Sequence, residues 1–372
     1  MAYTTQYPWP LPLDQIRVMV EEEFRVQSAY VDEGVPCFVL VKGPTKEPFL
    51  RLVAKMKGQS LVPTLKEEKR TLILRVLIKV PPPRSNIYIN VGLFFATVAT
   101  VLWYAYMFVG NPILALHLMP NMNTFVLTAG TATCVIAIIG LHEVGHKTVC
   151  DVRQIEATMP YFIPVPPFLP VGVMGTLGAV IMQKEPPVNR DAMFDLGSSG
   201  PVIGFLVTLA VAIAGLRMSF VVDVSTVAAW SEMYPGAMGT IPVPLLFDLL
   251  GRLLRADLEA GKVLIFSPIA TVGWFGMLLT FLNLMPIWQF DGGWVSRAVF
   301  GPRLHRWISY VGIAVMIIIG FWPMALLALL GMSRAATIAP LDDVSALTVA
   351  RKVFSVVLLA IIVLCAINLP YF

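Results

Sequence analysis

Between Ser85 and Leu141 the chain has no Asp, Glu, Lys or Arg. Further charge-free runs cover Leu196–Leu216, Val263–Phe290, Trp307–Ser333 and Val353–Phe372. Charged residues make up only 13% of the 372 positions, about half of the ~25% usual in a soluble domain. This scarcity argues against water as the solvent for most of the surface and points to lipid. Each run is long enough for a helix of roughly 20 residues to cross the hydrocarbon core. The first could hold two such helices, divided at the Asn- and Pro-rich stretch 110–123. Six spans are expected, near 87–109, 124–146, 198–216, 264–285, 307–330 and 352–369. The runs are continuous rather than alternating, which excludes a membrane β-barrel. Cysteine is also scarce. Cys37, Cys134, Cys150 and Cys365 show no paired spacing, so neither a disulfide framework nor a CxxC metal site is indicated. The net charge of +4 is too modest to suggest a nucleic-acid partner. The N-terminus is polar and Pro-rich without a short apolar core, so no cleavable leader is expected.

Residues 1–83 differ from the rest, with acidic and basic side chains throughout. Ile16, Met19, Val20 and Phe24 share one helical face, with Asp14 as a candidate cap. PCFVLV (36–41) reads as a strand and EPFLRLVAKMKG as a helix stopped by Gly58. TLILRVLIKV (71–80) places Leu72, Leu74, Val76 and Ile78 on one side of a strand. A small soluble α/β domain is expected, joined through Pro81–Pro83 to the first span. The remainder divides into 84–123 (first span and outer loop), 124–294 (a transmembrane core) and 295–372 (a C-terminal transmembrane hairpin). Basic residues in the connecting segments favour a cytosolic N-terminal domain.

Two connecting segments are unusual. Residues 159–180 are apolar yet broken by Pro and Gly, and Gly172, Gly175 and Gly178 suggest a backbone that something approaches closely. Residues 242–258 space Leu245, Leu246, Leu249, Leu253 and Leu254 as an interfacial amphipathic helix. GPVIG (200–204) reads as a close helix contact.

The chain has four histidines, and two of them stand in GLHEVGHKTVC (140–150), at the end of a charge-free span. His142 and His146 lie four apart on a helix, so their imidazoles leave one face and can share a Zn²⁺ ion. Glu143 then sits beside the open coordination position as general base. A third ligand is needed. Cys150 is local but offset around the helix, whereas Asp291 follows a long apolar run in FLNLMPIWQFDGGWV (281–295) and precedes a helix-breaking Gly-Gly. Glu156, Glu185, Glu232 and Glu259 are the downstream glutamates that a different zinc protease would use, and none lies in an apolar helix. His117 and His305 fall at expected span ends and read as interfacial residues.

LHEVGH in a span followed by LNLMPIWQFDGG resembles the site-2 protease family of intramembrane zinc metalloproteases. PYFIPVPP, GTLGAVI, PPVNRDAMFDLG and SGPVIG resemble a branch found in archaea and related to chloroplast members, which also carries a soluble N-terminal domain. No GNLR-type motif of some relatives is present. The resemblance implies about six transmembrane helices with a membrane-entering β-hairpin. It implies one Zn²⁺ held by His142, His146 and Asp291, with Glu143 as base. Asn283 would contact the substrate, and Gly175 and Gly178 would lie in the hairpin that pairs with it. The implied activity is hydrolysis of transmembrane-helix substrates, as in regulated intramembrane proteolysis. The implied setting is lipid, in the plasma membrane of a prokaryote. Oligomeric state is left open. Two alternatives are a metal-ion or proton-coupled transporter and an inactive binder of transmembrane clients.

Overall fold

The alternation in the first 80 residues folds as a four-stranded antiparallel sheet with two helices. The computed structural model describes residues 10–79, 81, 85–168, 174–334 and 339–366. Pro82, Pro83, Gly172 and the end of the last expected span lie outside the described residues. The elements of the domain are α1 (Leu13–Glu21), β1 (Val26–Asp32), β2 (Val35–Leu40), α2 (Lys46–Lys57), β3 (Leu61–Glu68) and β4 (Thr71–Ile78), with strand order β1-β2-β4-β3. Leu74 pairs with Phe38 on one side and Leu65 on the other, and all three are buried. Ile16 and Val20 of α1 and Phe49, Leu52 and Met56 of α2 complete this core. Pro12, not Asp14, occupies the cap of α1, and Asp14 lies in its first turn. The expectation omitted β1, whose residues are almost all exposed, and β3, which contains Pro63 and ends in Lys-Glu-Glu.

Among the described residues, three helices are long and apolar enough to cross a membrane: α3 (Ile87–Val109), α4 (Thr124–Val152) and α5 (Arg190–Arg217). Each starts at an asparagine. Asn86, Asn123 and Asn189 accept hydrogen bonds from the first-turn amides of Tyr88, Phe125 and Ala192 at 3.0, 3.0 and 2.9 Å, satisfying donors that the helix leaves free. A short π-helical turn, Ile113–Leu118, links α3 to α4. Between α4 and α5 the segment forms a hairpin of β5 (Tyr161–Pro164) and β6 (Thr176–Val180). After α5 come β7 (Phe220–Asp223), α6 (Val224–Met233), α7 (Leu245–Leu254) and β8 (Lys262–Ile265), with β7 and β8 paired. In α7, Leu245, Leu249 and Leu253 are exposed while Phe247 is buried, so the helix lies flat on the core and turns leucines outward.

The later spans differ from expectation. α8 (Pro268–Leu284) has 17 residues, because β8 claims 262–265 and the Ser267 cap with Pro268 sets its start. The expected span 307–330 is not one helix. α9 (Asp291–Ile318) ends before a turn at Gly320, whose φ is 89°, and α10 (Trp322–Arg334) begins next to Pro323. α9 is itself broken at Gly301 (φ 77°) ahead of Pro302. α11 (Val349–Cys365) closes the described fold.

α5 is the central helix, packed against α4, α8 and α9. Its approach to α8 is backbone-close: a Cβ on Gly273 would lie 2.6 Å from Ala212 Cα. The N-terminal domain docks through the segment before α11. Leu65 N donates to Leu341 O (2.8 Å) and Asp343 N to Leu65 O (3.1 Å), while Leu341 N and Asp342 N donate to Pro187 O and Val188 O, both at 2.9 Å. The outer edge of β3 is thereby tied to the residues that lead into α5.

Candidate metal centre

α4 carries His142, Glu143 and His146 to one level of the helical core, where His142 and Glu143 are buried. Asp291 arrives from a separate helix as the first residue of α9. His142 Nε2 and His146 Nε2 are 3.1 Å apart, and they lie 3.2 and 3.3 Å from Asp291 Oδ2 and Oδ1. Tetrahedral zinc with bonds of about 2.0–2.1 Å has ligand–ligand edges of about 3.3 Å. The three side chains therefore match one face of such a site in donor type and in spacing.

α5 fixes the histidines. His146 Nδ1 donates to Leu196 O at 2.9 Å, which leaves the Nε2 lone pair for a cation. Gly200 lies against the His146 ring, where an added Cβ would overlap Nε2, and a Cβ on Gly204 would stand 3.0 Å from His142 Nδ1. The GPVIG helix contact thus serves both imidazoles. Gly197, one turn earlier, admits the other ligand: its Cβ would fall 2.6 Å from Asp291 O.

The loop that delivers Asp291 is held from below. Trp288 N donates to Ser309 Oγ at 3.1 Å, and the Trp288 ring lies on Gly331 of α10. Trp288 has φ 42°, an uncommon left-handed conformation for a bulky residue. Gly292 and Gly293 press on the backbone of Leu284–Trp288, where no Cβ would fit. The Gly-Gly after Asp291 is thus a packing requirement as well as a helix start.

A cavity of about 410 Å³ opens at these residues. Its walls include Glu143, Asn283 and Cys150, the backbone run Ala179–Gln183 that continues β6, and Gln289, Phe290 and Trp294. Cys150 borders the cavity but is outside the group whose ligand atoms converge. Gly175 and Gly178 are not on the cavity wall. Gly175 (φ 84°) instead seats the hairpin on α3, accepting a 2.8 Å hydrogen bond through its carbonyl from Thr100 Oγ1, and Gly178 has φ 96° with open space about it. The hairpin reaches the site through the residues that follow them. Among the glutamates, Glu156 and Glu185 pair with Lys79, and Glu259 with Lys262. His117 lies 3.1 Å from the Tyr234 hydroxyl and stacks on Trp230. His305 is buried instead, with Nδ1 3.2 Å from Ser296 Oγ, because the break at Gly301 turns the second half of α9 inward.

Sequence reasoning missed Gln183, Gln289, Leu196 and Gly197. Leu196 acts through a main-chain carbonyl, which no side-chain pattern reports. Gly197 extends the Gly200–Gly204 spacing by one turn and was legible on that ground.

Known proteins carry the same stretch. "Probable zinc metalloprotease EGY1, chloroplastic" of Oryza sativa subsp. japonica is 30% identical over 45% of this chain and 27% of its own length. The Arabidopsis thaliana protein of the same name is 27% identical over 62% of this chain and 41% of its own. "Probable zinc metalloprotease EGY2, chloroplastic" of Oryza sativa subsp. indica is 25% identical over 48% and 31%. The matches span well under half the length of these relatives. No solved structure matches. The sequence profile of Peptidase family M50 covers residues 130–322, more than half of the chain and every residue from the two histidines to the Asp291 helix. With that coverage, the chain belongs to peptidase family M50.

Proposed function

We propose that this protein is an intramembrane zinc endopeptidase that hydrolyses peptide bonds of transmembrane-helix substrates. One observation carries the reading. Two imidazoles and a carboxylate from separate helices converge within 3.1–3.3 Å beside a buried Glu143, among helices of membrane-crossing length.

His142, His146 and Asp291 would hold the ion. Zinc so held supplies a Lewis acid that polarises a carbonyl and makes a water acidic near neutral pH. Glu143 accepts a proton from the attacking water and returns it to the departing amine. Asn283, on the cavity wall from α8, donates a hydrogen bond to the substrate backbone or to the negative charge that develops on its carbonyl oxygen. The Leu196 carbonyl keeps His146 in one tautomer throughout.

A helical substrate hides its carbonyls in its own hydrogen bonds, each costing several kcal/mol to lose in lipid. Strand β6 and its continuation offer replacements by β-augmentation. Gly175 and Gly178 shape that hairpin. Substrates with helix-weakening residues are favoured. The remaining apolar helices, α8 to α11, complete the membrane part, with α10 turned back along α9 at Gly320 so that Ser309 and Gly331 both meet Trp288. The N-terminal domain faces the cytosol, and the host membrane is a prokaryotic plasma membrane. Neither the site nor the relatives favour the transport alternative.

The test is cleavage of a single-span peptide by the protein reconstituted in lipid with zinc. Wild type should cut. Glu143→Gln should retain zinc and lose at least about 10²-fold in rate. Asp291→Ala should lose both metal and activity. Full-rate cleavage by either variant would remove the proposal.

A further inference from the structure

The edge strand of the hairpin continues beyond β6. Gln183 forms an antiparallel bridge with Ala157, Thr158 N donates to Met182 O at 3.0 Å, and Lys184 N donates to Glu156 O at 2.8 Å. Those bonds flank the 157/183 pair. By strand alternation, Met182 and Lys184 direct their main-chain groups to the partner strand, and Ile181 and Gln183 direct theirs to the opposite edge. Both Ile181 and Gln183 lie on the wall of the metal cavity.

The side chain of Gln183 is anomalous. Its Oε1 is buried and has no hydrogen-bond partner among the described residues. Most buried polar atoms are paired, and an unpaired acceptor costs about 1–3 kcal/mol. The candidate ligands that line the cavity engage one another: His142, His146 and Asp291 lie within 3.3 Å of each other, and His146 also bonds Leu196 O. Among the described residues that line this cavity, Gln183 is the one with a fully buried side-chain acceptor left unpaired, beside the free strand edge.

An extended segment laid along that edge satisfies its ladder with main-chain groups. To bring its scissile bond from the ladder to Glu143, it must bend, and a bend turns an amide N–H out of the ladder. We propose that Gln183 is a substrate-binding residue whose Oε1 accepts a hydrogen bond from one main-chain N–H of the bound segment, next to the scissile bond. This recognises backbone rather than side chain. It selects any segment that can unwind, whatever its sequence. The inference rests on the protease reading above.

The experiment uses the full chain in lipid nanodiscs with zinc and a synthetic single-span peptide of about 25 residues with a central Gly-Pro weakening. A set of peptides carries one backbone ester in place of one amide, which removes that N–H and leaves the side chains. Wild type should lose about tenfold in kcat/KM for one ester position, the net value of one hydrogen bond. Gln183→Leu should lose about tenfold for the all-amide peptide and nothing further for that ester. Gln183→Glu, which keeps an acceptor, should recover part of the loss. Zinc content and Tm of Gln183→Leu should match wild type. Equal kcat/KM for Gln183→Leu and wild type overturns the inference and leaves the protease reading intact. A loss spread evenly over all ester peptides, or a fall in zinc content, assigns Gln183 a structural role and also overturns it. Failure of wild type to cut any peptide, with Glu143→Gln indistinguishable from it, removes the protease reading and this inference with it.

Discussion

In the N-terminal domain Gly43 and Gly58 face open space, whereas in the helical core Gly200, Gly204 and Gly273 each lie against another helix or its side chains. Some ion pairs follow the same contrast. Arg17–Glu21 and Lys42–Glu67 of the domain are largely exposed, while Arg297–Asp343 and Lys46–Asp191 are mostly withdrawn from solvent. The difference reflects the solvent. In water, removing apolar side chains from contact with the medium is sufficient drive, and the domain core of Phe49, Leu52, Leu65 and Leu74 uses it. In lipid, apolar side chains gain little by meeting one another, and small residues that bring backbones together take over, with buried polar contacts. The metal centre inherits its rigidity from that second regime.

Substitutions should separate the two regimes. Gly200→Ala places a methyl group on the His146 ring, and should lower zinc affinity by about 10–100-fold with a matching loss of cleavage. Gly58→Ala, at a position with open space and helical dihedrals, should stay within about 0.5 kcal/mol of wild type. Metal titration and thermal unfolding of both variants check the contrast, and equal effects would break it. Next in size, Arg297→Ala removes two hydrogen bonds of 3.0 and 2.6 Å to Asp343, which keeps Arg190 at 3.5 Å, and should cost about 1–3 kcal/mol. Arg17→Ala, in an exposed helix pair, should cost under about 0.5 kcal/mol. Denaturant unfolding in detergent reads both. The smallest effect concerns acid. The Lys55 hydrogen bond, joined by Arg51, holds the Glu23 carboxyl below its ordinary value of 4.5. A depressed folded-state pKa means the pair contributes fully above pH 4.5 and is lost as pH falls through that range. Amide exchange in α1 and α2 should accelerate there, and Glu23→Gln should abolish the change.

Much of the site could be read in advance because helical spacing alone puts His142 and His146 on one face. Asp291 was legible as a lone carboxylate closing a long apolar run, with Cys150 as competitor until the fold separated them. Three features were not legible. β1 and β3 carry weak apolar alternation and gain their place by pairing. The turn at 319–321 hides inside a run that hydropathy treats as continuous. Gly175 and Gly178 marked the hairpin correctly as a special backbone, but only the fold shows that the residues after them, through Gln183, border the metal.

The docking of Leu341–Asp343 between β3 and the approach to α5 has a practical consequence. The family profile stops at residue 322, and all three candidate ligands precede it. The residues that bolt the N-terminal domain to α5, together with Arg351 on Asp191 and Asp195, come later. A chain ended at residue 322 would keep every candidate ligand yet lose the residues that hold the N-terminal domain to α5, so any C-terminal truncation should run past α11.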